Sequence, residues 1–236
     1  MDSGQIAAII LAAGSSSRMS GVKKEFAELS GGGTALESSV RVFSSLAKNI
    51  VIAVPEDSES QAKNALPEEL HESQNTKIIF VNGAQTRRAS ALNALRALLP
   101  HNPRYVLIHD GARPWVSAAL AENLIAAAEK YGAVIPVVPL TETPKELGIK
   151  NVECGMRNEE KEAVFIERHL KRVNVSVAQT PQVFKFPEIL HAHEKAALLD
   201  EDFTDDAEIW DKFCGQVAAI PGEPENRKIT FPEDLN

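Results

Sequence analysis

The sequence predicts an α/β fold in which a mainly parallel sheet is covered by helices on both faces. Short, continuous apolar runs recur along the chain, and segments with helical periodicity separate them. Strands without polar alternation are typical of sheets buried on both faces, and their alternation with helices indicates parallel pairing. The length of 236 residues is sufficient for one large domain with its own hydrophobic core.

Five apolar runs are predicted to form strands, because each is short and continuous and is followed by small, polar or turn-forming residues. They are Ala7–Leu11, Ile50–Val54, Ile78–Val81, Tyr105–His109 and Ala133–Val138.

Amphipathic helices are predicted between these strands. The first is indicated by apolar residues at helical spacing, namely Leu36, Val40, Phe43 and Ala47. The second is predicted over Arg88–Leu99 and the third over Ser117–Tyr131. Ser117 is a suitable N-cap for the third helix, and Gly132 lies just past its end.

This alternation stops between Thr141 and Val177, where the chain is charged and irregular. Two stretches of alternating residues, Ala163–Glu167 and Val173–Val177, predict the strands of an antiparallel ribbon. A departure of this length inside a compact domain is usually functional or disordered. We therefore expect residues 141–177 to form an arm or a lid on a single domain that spans residues 1–236.

Regular structure is predicted to resume after the arm. Pro187–Leu199 has the pattern of a helix with proline in its first turn, and a second helix is predicted from Thr204 to near Gly215. Val217–Ile220 and Lys228–Phe231 are predicted as the last strands.

The composition excludes several classes of protein. Hydrophobic residues make up 44% and charged residues 25%, which are ordinary globular values. The net charge of −8 argues against non-specific nucleic-acid binding, and no apolar run is long enough to span a membrane. Two cysteines, Cys154 and Cys214, are too few for a disulfide framework or a zinc site. A cytoplasmic protein is expected.

The first segment that could bind a ligand is LAAGSSSRM at residues 11–19, which begins at the last residue of the first predicted strand. Small residues at the carboxyl end of a parallel strand let backbone N–H groups approach a polyphosphate. The segment lacks the Gly-Lys-Ser/Thr of a P-loop and the glycine spacing of a dinucleotide-binding turn. Arg18, Lys23 and Lys24 follow as cations. A flexible surface turn beside solvated lysines is the alternative.

The second cluster is IHDGARPW at residues 108–115, after the fourth predicted strand. Open α/β sheets bind ligands outside the carboxyl ends of their strands. Asp110 is suited to bind Mg²⁺ there, and Arg113 could orient Asp110 or contact a phosphate. A structural ion pair between Asp110 and Arg113 is the alternative. His109 is expected to be packed in the core.

Three further segments carry polar residues. GAQTRRAS at residues 83–90 precedes a helix, where Ser90 would ordinarily be a cap. QTPQ at residues 179–182 places Thr180 where the chain re-enters the core. NRKIT at residues 226–230 places Lys228 at the start of the last predicted strand, where a lone lysine usually serves solubility.

Seven motifs in one order carry a family resemblance: LAAGSSSRM, KKEF, GAQTR with Ser90 after it, HDGARP, TETPK, QTPQ and NRKIT. Together they resemble the 2-C-methyl-D-erythritol 4-phosphate cytidylyltransferase family, from Ile6 to Leu235. The resemblance implies a Rossmann-like nucleotidyltransferase fold and a homodimer in which a protruding β-arm of each subunit hooks its partner. It also implies Mg²⁺-dependent transfer of CMP from CTP to the sugar-alcohol phosphate, with release of pyrophosphate, in non-mevalonate isoprenoid precursor biosynthesis.

The resemblance further implies roles for individual residues. The catalytic residues would be Arg18, Lys24 and Lys228. The nucleotide-binding residues would be Ala12, Ala13, Gly14, Ser15, Ser16, Ser17, Gly83, Ser90 and Asp110. Asp110 would also bind Mg²⁺. The substrate-binding residues would be Arg113, Thr143, Arg172 and Thr180, of which Thr143 and Arg172 would act in the partner's site.

The sequence departs from the family pattern at Lys23 and Glu25, where the family usually has proline and glutamine. The extra cation is expected to perturb the adjacent loop. TDDAE at residues 204–208 resembles a family segment near the active site, and a capped helix start explains it equally well. Two alternative functions stay open. One is a cytidylyltransferase for another sugar-alcohol phosphate, such as ribitol 5-phosphate, and the other is a non-catalytic nucleotide-binding homologue.

Overall fold

A computed structural model describes residues 5–17, 19, 23–71, 73–154 and 159–235. The chain divides into two compact units, one formed by Met1–Pro136 with Gln179–Asn236 and the other by Val137–Ala178. The residues predicted to leave the sheet, 141–177, lie within the second unit. No helix in the described part of the chain is both long enough and apolar enough to cross a membrane.

Ten strands and seven α-helices form within the described residues. The strands are β1 (Ile6–Leu11), β2 (Asn49–Val54), β3 (Lys77–Asn82), β4 (Tyr105–Asp110), β5 (Ala133–Pro139), β6 (Lys145–Cys154), β7 (Glu159–His169), β8 (Ser176–Ala178), β9 (Gln182–Lys185) and β10 (Ala218–Pro221). The helices are α1 (Ala35–Ser44), α2 (Glu59–Asn64), α3 (Glu68–His71), α4 (Arg87–Ala97), α5 (Ala118–Tyr131), α6 (Phe186–Ala196) and α7 (Asp206–Phe213).

The main sheet has the strand order β10-β5-β9-β4-β1-β2-β3. β1 pairs in parallel with β2 and β4, and β2 pairs in parallel with β3. β9 is antiparallel to both β4 and β5. The predicted mainly parallel sheet is confirmed, with β9 as an antiparallel insertion that apolar runs alone did not predict. The order reverses between β1 and β4, because β2 and β3 lie on one side of β1 and β4 lies on the other.

Two hydrophobic clusters pack on opposite faces of this sheet, which confirms the prediction of helices on both faces. Ala8 and Ile10 of β1 contribute to the cluster that includes α1 and α5. Ala7 and Ile9 of the same strand contribute to the cluster that includes α4, α6 and α7. Successive residues of a strand point to opposite faces, so continuous apolar runs are needed to bury both.

The predicted ends of α5 are also confirmed. The Ser117 hydroxyl accepts a hydrogen bond from the Leu120 N–H, and Gly132 ends the helix at a φ of 83°. Glycine adopts this left-handed conformation without the steric cost that a Cβ imposes.

The second unit contains an antiparallel ribbon, but one of its two predicted strands was wrong. β7 contains the predicted Ala163–Glu167, and its partner is β6 rather than Val173–Val177. The latter stretch divides into a 3₁₀ turn at Arg172–Asn174 and β8, which pairs with Val137–Pro139 of β5. In β6 the apolar Leu147 and Ile149 alternate with Glu146, Gly148 and Lys150, and this alternation is the pattern that the sequence analysis missed.

The predicted final strand, Lys228–Phe231, is also wrong. The Ile229 N–H donates to the Ala112 carbonyl, but the N–H groups of Thr230 and Phe231 donate to the carboxylate of Asp234. These side-chain bonds take the place of a strand ladder and lead the chain into a 3₁₀ turn at Pro232–Leu235.

Candidate active site

The carboxyl ends of β1 and β4 lie side by side at the point where the strand order reverses. Leu11 is paired with Asp110 in the parallel register of these strands. The Gly111 N–H donates to the Leu11 carbonyl over 2.9 Å, and the Gly83 N–H donates to the Val54 carbonyl over 2.7 Å. The loops after β1, β3 and β4 therefore leave the same edge of the sheet, where open α/β folds bind ligands.

These loops enclose a cavity of about 450 Å³, a size typical of small-molecule sites. Seven of the residues with a predicted site role line it, namely Ala13, Gly14, Ser15, Lys24, Ser90, Asp110 and Lys228. The sequence analysis assigned no role to a further set of lining residues, namely Leu11, Glu25, Ala84, Gln85, Thr86, Arg87 and Ala112. The cavity thus unites loops from widely separated parts of the sequence.

The loop after β1 is fastened to the KKEF segment. The Ser16 hydroxyl donates to the Glu25 carboxylate over 3.3 Å and accepts from the Lys24 N–H over 3.4 Å. The Lys23 ammonium donates to the Gly14 carbonyl over 3.0 Å. Lys23, which was expected to perturb the loop, therefore ties it down.

The other predicted loop residues differ in their environment. The N–H of the buried Ala12 donates to the Ala53 carbonyl over 2.8 Å, so it belongs to the sheet rather than to a phosphate site. Ser17 is exposed. The predicted role of Arg18 lies outside the described residues.

Glu25 is a buried carboxyl group at the base of the pocket, with only 2% of its surface exposed. Burial raises its pKa, although the charge of Lys24 and the hydrogen bond from Ser16 act in the opposite direction. Burial therefore works against the ionisation of Glu25 in the folded protein.

Asp110 faces the pocket from the end of β4, with cations on both of its oxygens. Arg87 Nε lies 3.1 Å from Oδ1, and Lys228 Nζ lies 2.6 Å from Oδ2. Burial alone would raise the pKa of Asp110, but these two charges outweigh it and hold the pKa well below its usual range. Asp110 is therefore an anion at neutral pH, as a metal ligand must be.

The ion pair between Asp110 and Arg113 that was considered as an alternative does not form. Arg113 instead donates from Nη1 to the Asn226 carbonyl over 2.7 Å. The buried Asn226 in turn donates from Nδ2 to the Thr180 carbonyl over 2.8 Å. These bonds fasten the segment that carries Lys228 beside the loop after β4.

Ser90 lines the pocket, whereas Gly83 does not line it and directly precedes the lining residue Ala84. Ser90 does not cap α4, because Thr86 is the N-cap and its hydroxyl accepts from the Ala89 N–H. The Ser90 hydroxyl instead accepts from the Ala84 N–H over 2.9 Å and contacts the Thr86 carbonyl at 3.0 Å. It therefore holds the loop after β3 in a tight turn.

Thr180 lies behind Asp110. Its buried hydroxyl accepts from the Asp110 N–H over 3.0 Å and lies 3.1 Å from His109 Nδ1. The predicted packing of His109 is confirmed, because this side chain is fully buried and burial lowers its pKa to about 4. The predicted contact of Thr180 with a substrate stays a prediction.

Thr143 and Arg172 belong to the second unit. Arg172 lies in the 3₁₀ turn there, and its guanidinium donates to the Thr141 carbonyl over 2.6 Å. The predicted action of both residues in a partner's site stays a prediction.

Comparison with known proteins identifies the family. Residues 6–236 match the family model described as IspD, 2-C-methyl-D-erythritol 4-phosphate cytidylyltransferase. The chain belongs to this family. A member named 2-C-methyl-D-erythritol 4-phosphate cytidylyltransferase, from Geobacillus thermodenitrificans, is 34% identical over 233 residues, which cover 97% of this chain and 92% of that protein.

Other relatives of this IspD-family chain are longer. The bifunctional enzyme IspD/IspF of Bradyrhizobium sp. (strain ORS 278) is 44% identical over 154 residues, which cover 65% of this chain and 36% of that protein. The Bartonella henselae protein of the same name is 35% identical over 239 residues, which cover 98% of this chain and 55% of that protein. The chain thus spans between a third and just over half of the length of these bifunctional relatives.

Solved structures of the IspD family share the fold. The 4-diphosphocytidyl-2C-methyl-D-erythritol synthase of Anaerococcus prevotii is 30% identical with a TM-score of 0.79, over 99% of this chain and 94% of that one. The 2-C-methyl-D-erythritol 4-phosphate cytidylyltransferase of Thermus thermophilus is 29% identical with a TM-score of 0.73, over 98% and 95%. The predicted Rossmann-like nucleotidyltransferase fold is confirmed.

Among the residues that line the pocket of this IspD-family chain, Asp110 has the chemistry of a ligand for a divalent cation that is also bound by phosphates. Among the described residues, no group of three or more His, Cys, Asp or Glu side chains could hold a metal by itself. Mg²⁺ usually binds through one or two carboxylates together with substrate phosphates. Asp110, ionised and facing the cavity, fits that arrangement.

Proposed function

We propose that this chain transfers CMP from CTP to 2-C-methyl-D-erythritol 4-phosphate and releases pyrophosphate. The observation that carries the proposal is the pairing of Leu11 with Asp110, which brings the small-residue loop and the carboxylate to one cavity. Lys24 and Lys228 line the same cavity. Family membership adds the identity of the nucleotide and of the acceptor.

The reaction is an in-line displacement at the α-phosphorus of CTP. An oxygen of the acceptor's phosphate forms the new P–O bond, and the bond to the leaving pyrophosphate breaks. The attacking oxygen is already an anion, so no general base is required. The barrier is the repulsion between anions together with the charge that grows in the transition state, which positioning and cations overcome.

The side chains of the pocket divide this work. Lys24 and Lys228 stabilise charge on the transferring phosphorus and on the leaving group, with Arg18 predicted to join them. The loop of residues 13–15 wraps the triphosphate. Asp110 would hold Mg²⁺, which would neutralise phosphate charge. Three cationic side chains, those of Lys24, Arg87 and Lys228, line the cavity against two carboxyl groups, so an acidic protein can bind polyanions there.

A product assay tests the function. The protein is incubated with CTP and Mg²⁺ and with either 2-C-methyl-D-erythritol 4-phosphate or ribitol 5-phosphate. Pyrophosphate release and the CDP-linked product are then measured. Turnover with the erythritol compound alone is the expected result. Preference for ribitol 5-phosphate would reassign the acceptor, and CTP binding without any turnover would identify a non-catalytic homologue.

The proposal includes a cytoplasmic location and a homodimer. The ribbon of the second unit supports the homodimer. Its cross-strand partners Leu147 with Ile166 and Ile149 with Val164 share one face. Each of these four side chains is more than half exposed. A two-stranded ribbon is marginal in water by itself, and a two-fold dimer covers such a face on both subunits. We therefore propose that a second copy of this chain covers the apolar face of the ribbon.

Mixing two inactive variants, Lys228→Ala and Arg172→Ala, tests whether the arm acts in the partner's site. If Arg172 acts in trans, one site of each mixed dimer carries neither substitution, and the other carries both. Random subunit exchange should then restore up to about a quarter of wild-type activity. A mixture that stays inactive after exchange has been confirmed by mass spectrometry would place Arg172 in the site of its own subunit.

A further inference from the structure

Arg87 joins two acidic residues that lie far apart in the sequence. It is the first residue of α4, and its side chain lines the cavity. Nε lies 3.1 Å from Oδ1 of Asp110, and Nη1 lies 2.8 Å from Oδ2 of Asp206. The guanidinium therefore spans from the pocket to the first residue of α7.

Asp206 is the buried end of this connection. It is fully buried, and its other oxygen, Oδ1, lies 3.1 Å from Nε2 of the fully buried His193. Burial alone would raise the pKa of Asp206, but Arg87 and His193 outweigh it and lower the pKa. A buried carboxylate is costly unless it is paired, so Asp206 holds Arg87 firmly in place.

Asp206 is not needed to cap α7, because its neighbour performs that task. Asp205 is the N-cap, and its Oδ1 accepts from the Glu208 N–H over 2.9 Å. The helix-start explanation of the TDDAE segment therefore accounts for Asp205 and leaves Asp206 without a local role. The structure shows Asp206 in contact with Arg87 and with His193.

The two cations on Asp110 differ in how they are held. Lys228 reaches Oδ2 with a flexible side chain that is 38% exposed, whereas Arg87 is anchored at its other end by a fully buried carboxylate. A lysine ammonium is a point charge on a flexible stem, whereas the planar arginine fork keeps two acceptors in fixed directions. An incoming triphosphate therefore draws Lys228 away from Asp110 more readily than Arg87.

We propose that Arg87, anchored by Asp206, is a positioning residue that occupies Oδ1 of Asp110 and leaves Oδ2 as the oxygen that meets the nucleotide-bound divalent cation. This inference rests on the proposed function. It assigns Arg87 and Asp206 to the orientation of the carboxylate, not to contact with the reacting atoms. Outer partners of a metal ligand typically contribute about 10–100-fold to metal affinity.

The test measures binding of CTP by calorimetry, without the acceptor so that no reaction occurs. Titrations with Mn²⁺ and with EDTA separate metal-dependent from metal-free nucleotide binding. Asp206→Asn keeps the shape of the side chain but removes its charge, and it should weaken Mn²⁺-dependent binding by about tenfold or more. Binding in EDTA should change less than threefold. Arg87→Lys, which cannot span both carboxylates, should behave in the same way.

Asp211→Asn is the matched control, because it removes a charge from an exposed position of the same helix. It should bind Mn²⁺ and CTP like the wild type. Each variant is measured below its own melting temperature, so a loss of stability in Asp206→Asn does not obscure the result, and Arg87→Lys leaves the Asp206 carboxylate in place.

Two results would overturn the inference. One is unchanged Mn²⁺-dependent binding in both variants, and the other is an equal loss with Mn²⁺ and with EDTA, which would indicate a merely structural role. Failure of the proposed function is distinguishable, because the wild type itself would then show no turnover in the product assay.

Discussion

Gly83 offers the sharpest test of how closely the loops of the pocket approach each other. A Cβ built on Gly83 would lie well within 3.0 Å of the Ala13 Cβ, a separation that real Cβ atoms essentially never show. It would also lie 3.2 Å from Ser90 Oγ and 3.3 Å from the Val54 carbonyl oxygen. Carbon atoms in contact prefer about 3.5–4.0 Å, so Gly83→Ala must displace Ala13 or its own loop by more than about 1 Å.

The displaced residue belongs to the predicted nucleotide loop, so both stability and activity should change. Overpacking a tight interior typically costs about 1–3 kcal/mol, and each kcal/mol lowers the Tm of a chain of this size by about 2–4 °C. Misplacement of a binding group by about 1 Å can cost 10²-fold, and we expect a loss in kcat/KM for CTP of roughly tenfold. Thermal unfolding and steady-state kinetics measure the two effects.

Two further variants make the test specific. Gly31→Ala is the matched control, because no atom lies within 4 Å of a Cβ built there, and it should leave both Tm and kcat/KM unchanged. Ala13→Gly in the Gly83→Ala background removes the other partner of the overlap and should recover most of the loss. If Gly83→Ala alone has wild-type stability and kinetics, the close approach of the two loops is not required.

Three other predictions concern charged groups in the pocket. Lys24→Ala or Lys228→Ala should lower kcat by about 10²–10³ and change the KM for CTP much less, and turnover within threefold of wild type would exclude the assigned role. Asp110→Asn should abolish Mg²⁺-dependent activity and lower Tm moderately, because Arg87 and Lys228 lose an ionised partner whose pKa the fold lowers, although Arg87 keeps Asp206. A collapse of Tm would indicate a structural role instead. Glu25→Gln should stabilise the protein above pH 4.5, the ordinary pKa of glutamate, because the raised pKa of Glu25 makes its ionisation unfavourable for the folded state. In urea titrations from pH 5 to 8, the free energy of unfolding of Glu25→Gln should exceed that of the wild type by an amount that grows with pH and levels off above the folded-state pKa. A difference that does not change with pH would contradict a raised pKa of Glu25.

The sequence predicted the layers of the fold better than the contacts between side chains in the pocket. Continuous apolar runs such as Ala7–Leu11 are recognisable because both faces of their strands are buried. β9 was missed because it is short, and α2 and α3 because each is only one or two turns long. Lys228–Phe231 was predicted as a strand because the sequence does not reveal that Asp234 takes the N–H groups of Thr230 and Phe231.

The candidate site was predictable where a residue follows a strand directly. Asp110 ends β4, and the loop of residues 12–17 directly follows β1. Ligands of open α/β sheets bind at the carboxyl ends of the strands, and this rule locates both features. Asp206 lies 119 positions after Arg87, and nothing local in either segment indicates their contact. The family resemblance included GAQTR among its motifs and TDDAE as a segment near the active site, with a capped helix start as the alternative. Only the structure shows which side chains of the two segments meet.

The segment that carries Lys228 has a consequence for how activity and folding are linked. Arg227–Thr230 forms no strand, and side-chain bonds rather than a strand ladder hold the segment, including those of Asn226 and that of the Thr230 N–H with Asp234. Lys228 meets Asp110 across 118 positions of the sequence. Short segments fastened this way open at lower free energy than core strands, so their amides should exchange with solvent earlier than those of β1 or β4. Opening of this segment would remove Lys228, the proposed catalytic cation, from the pocket while the sheet stays intact. In rising denaturant, activity should therefore be lost before the fold.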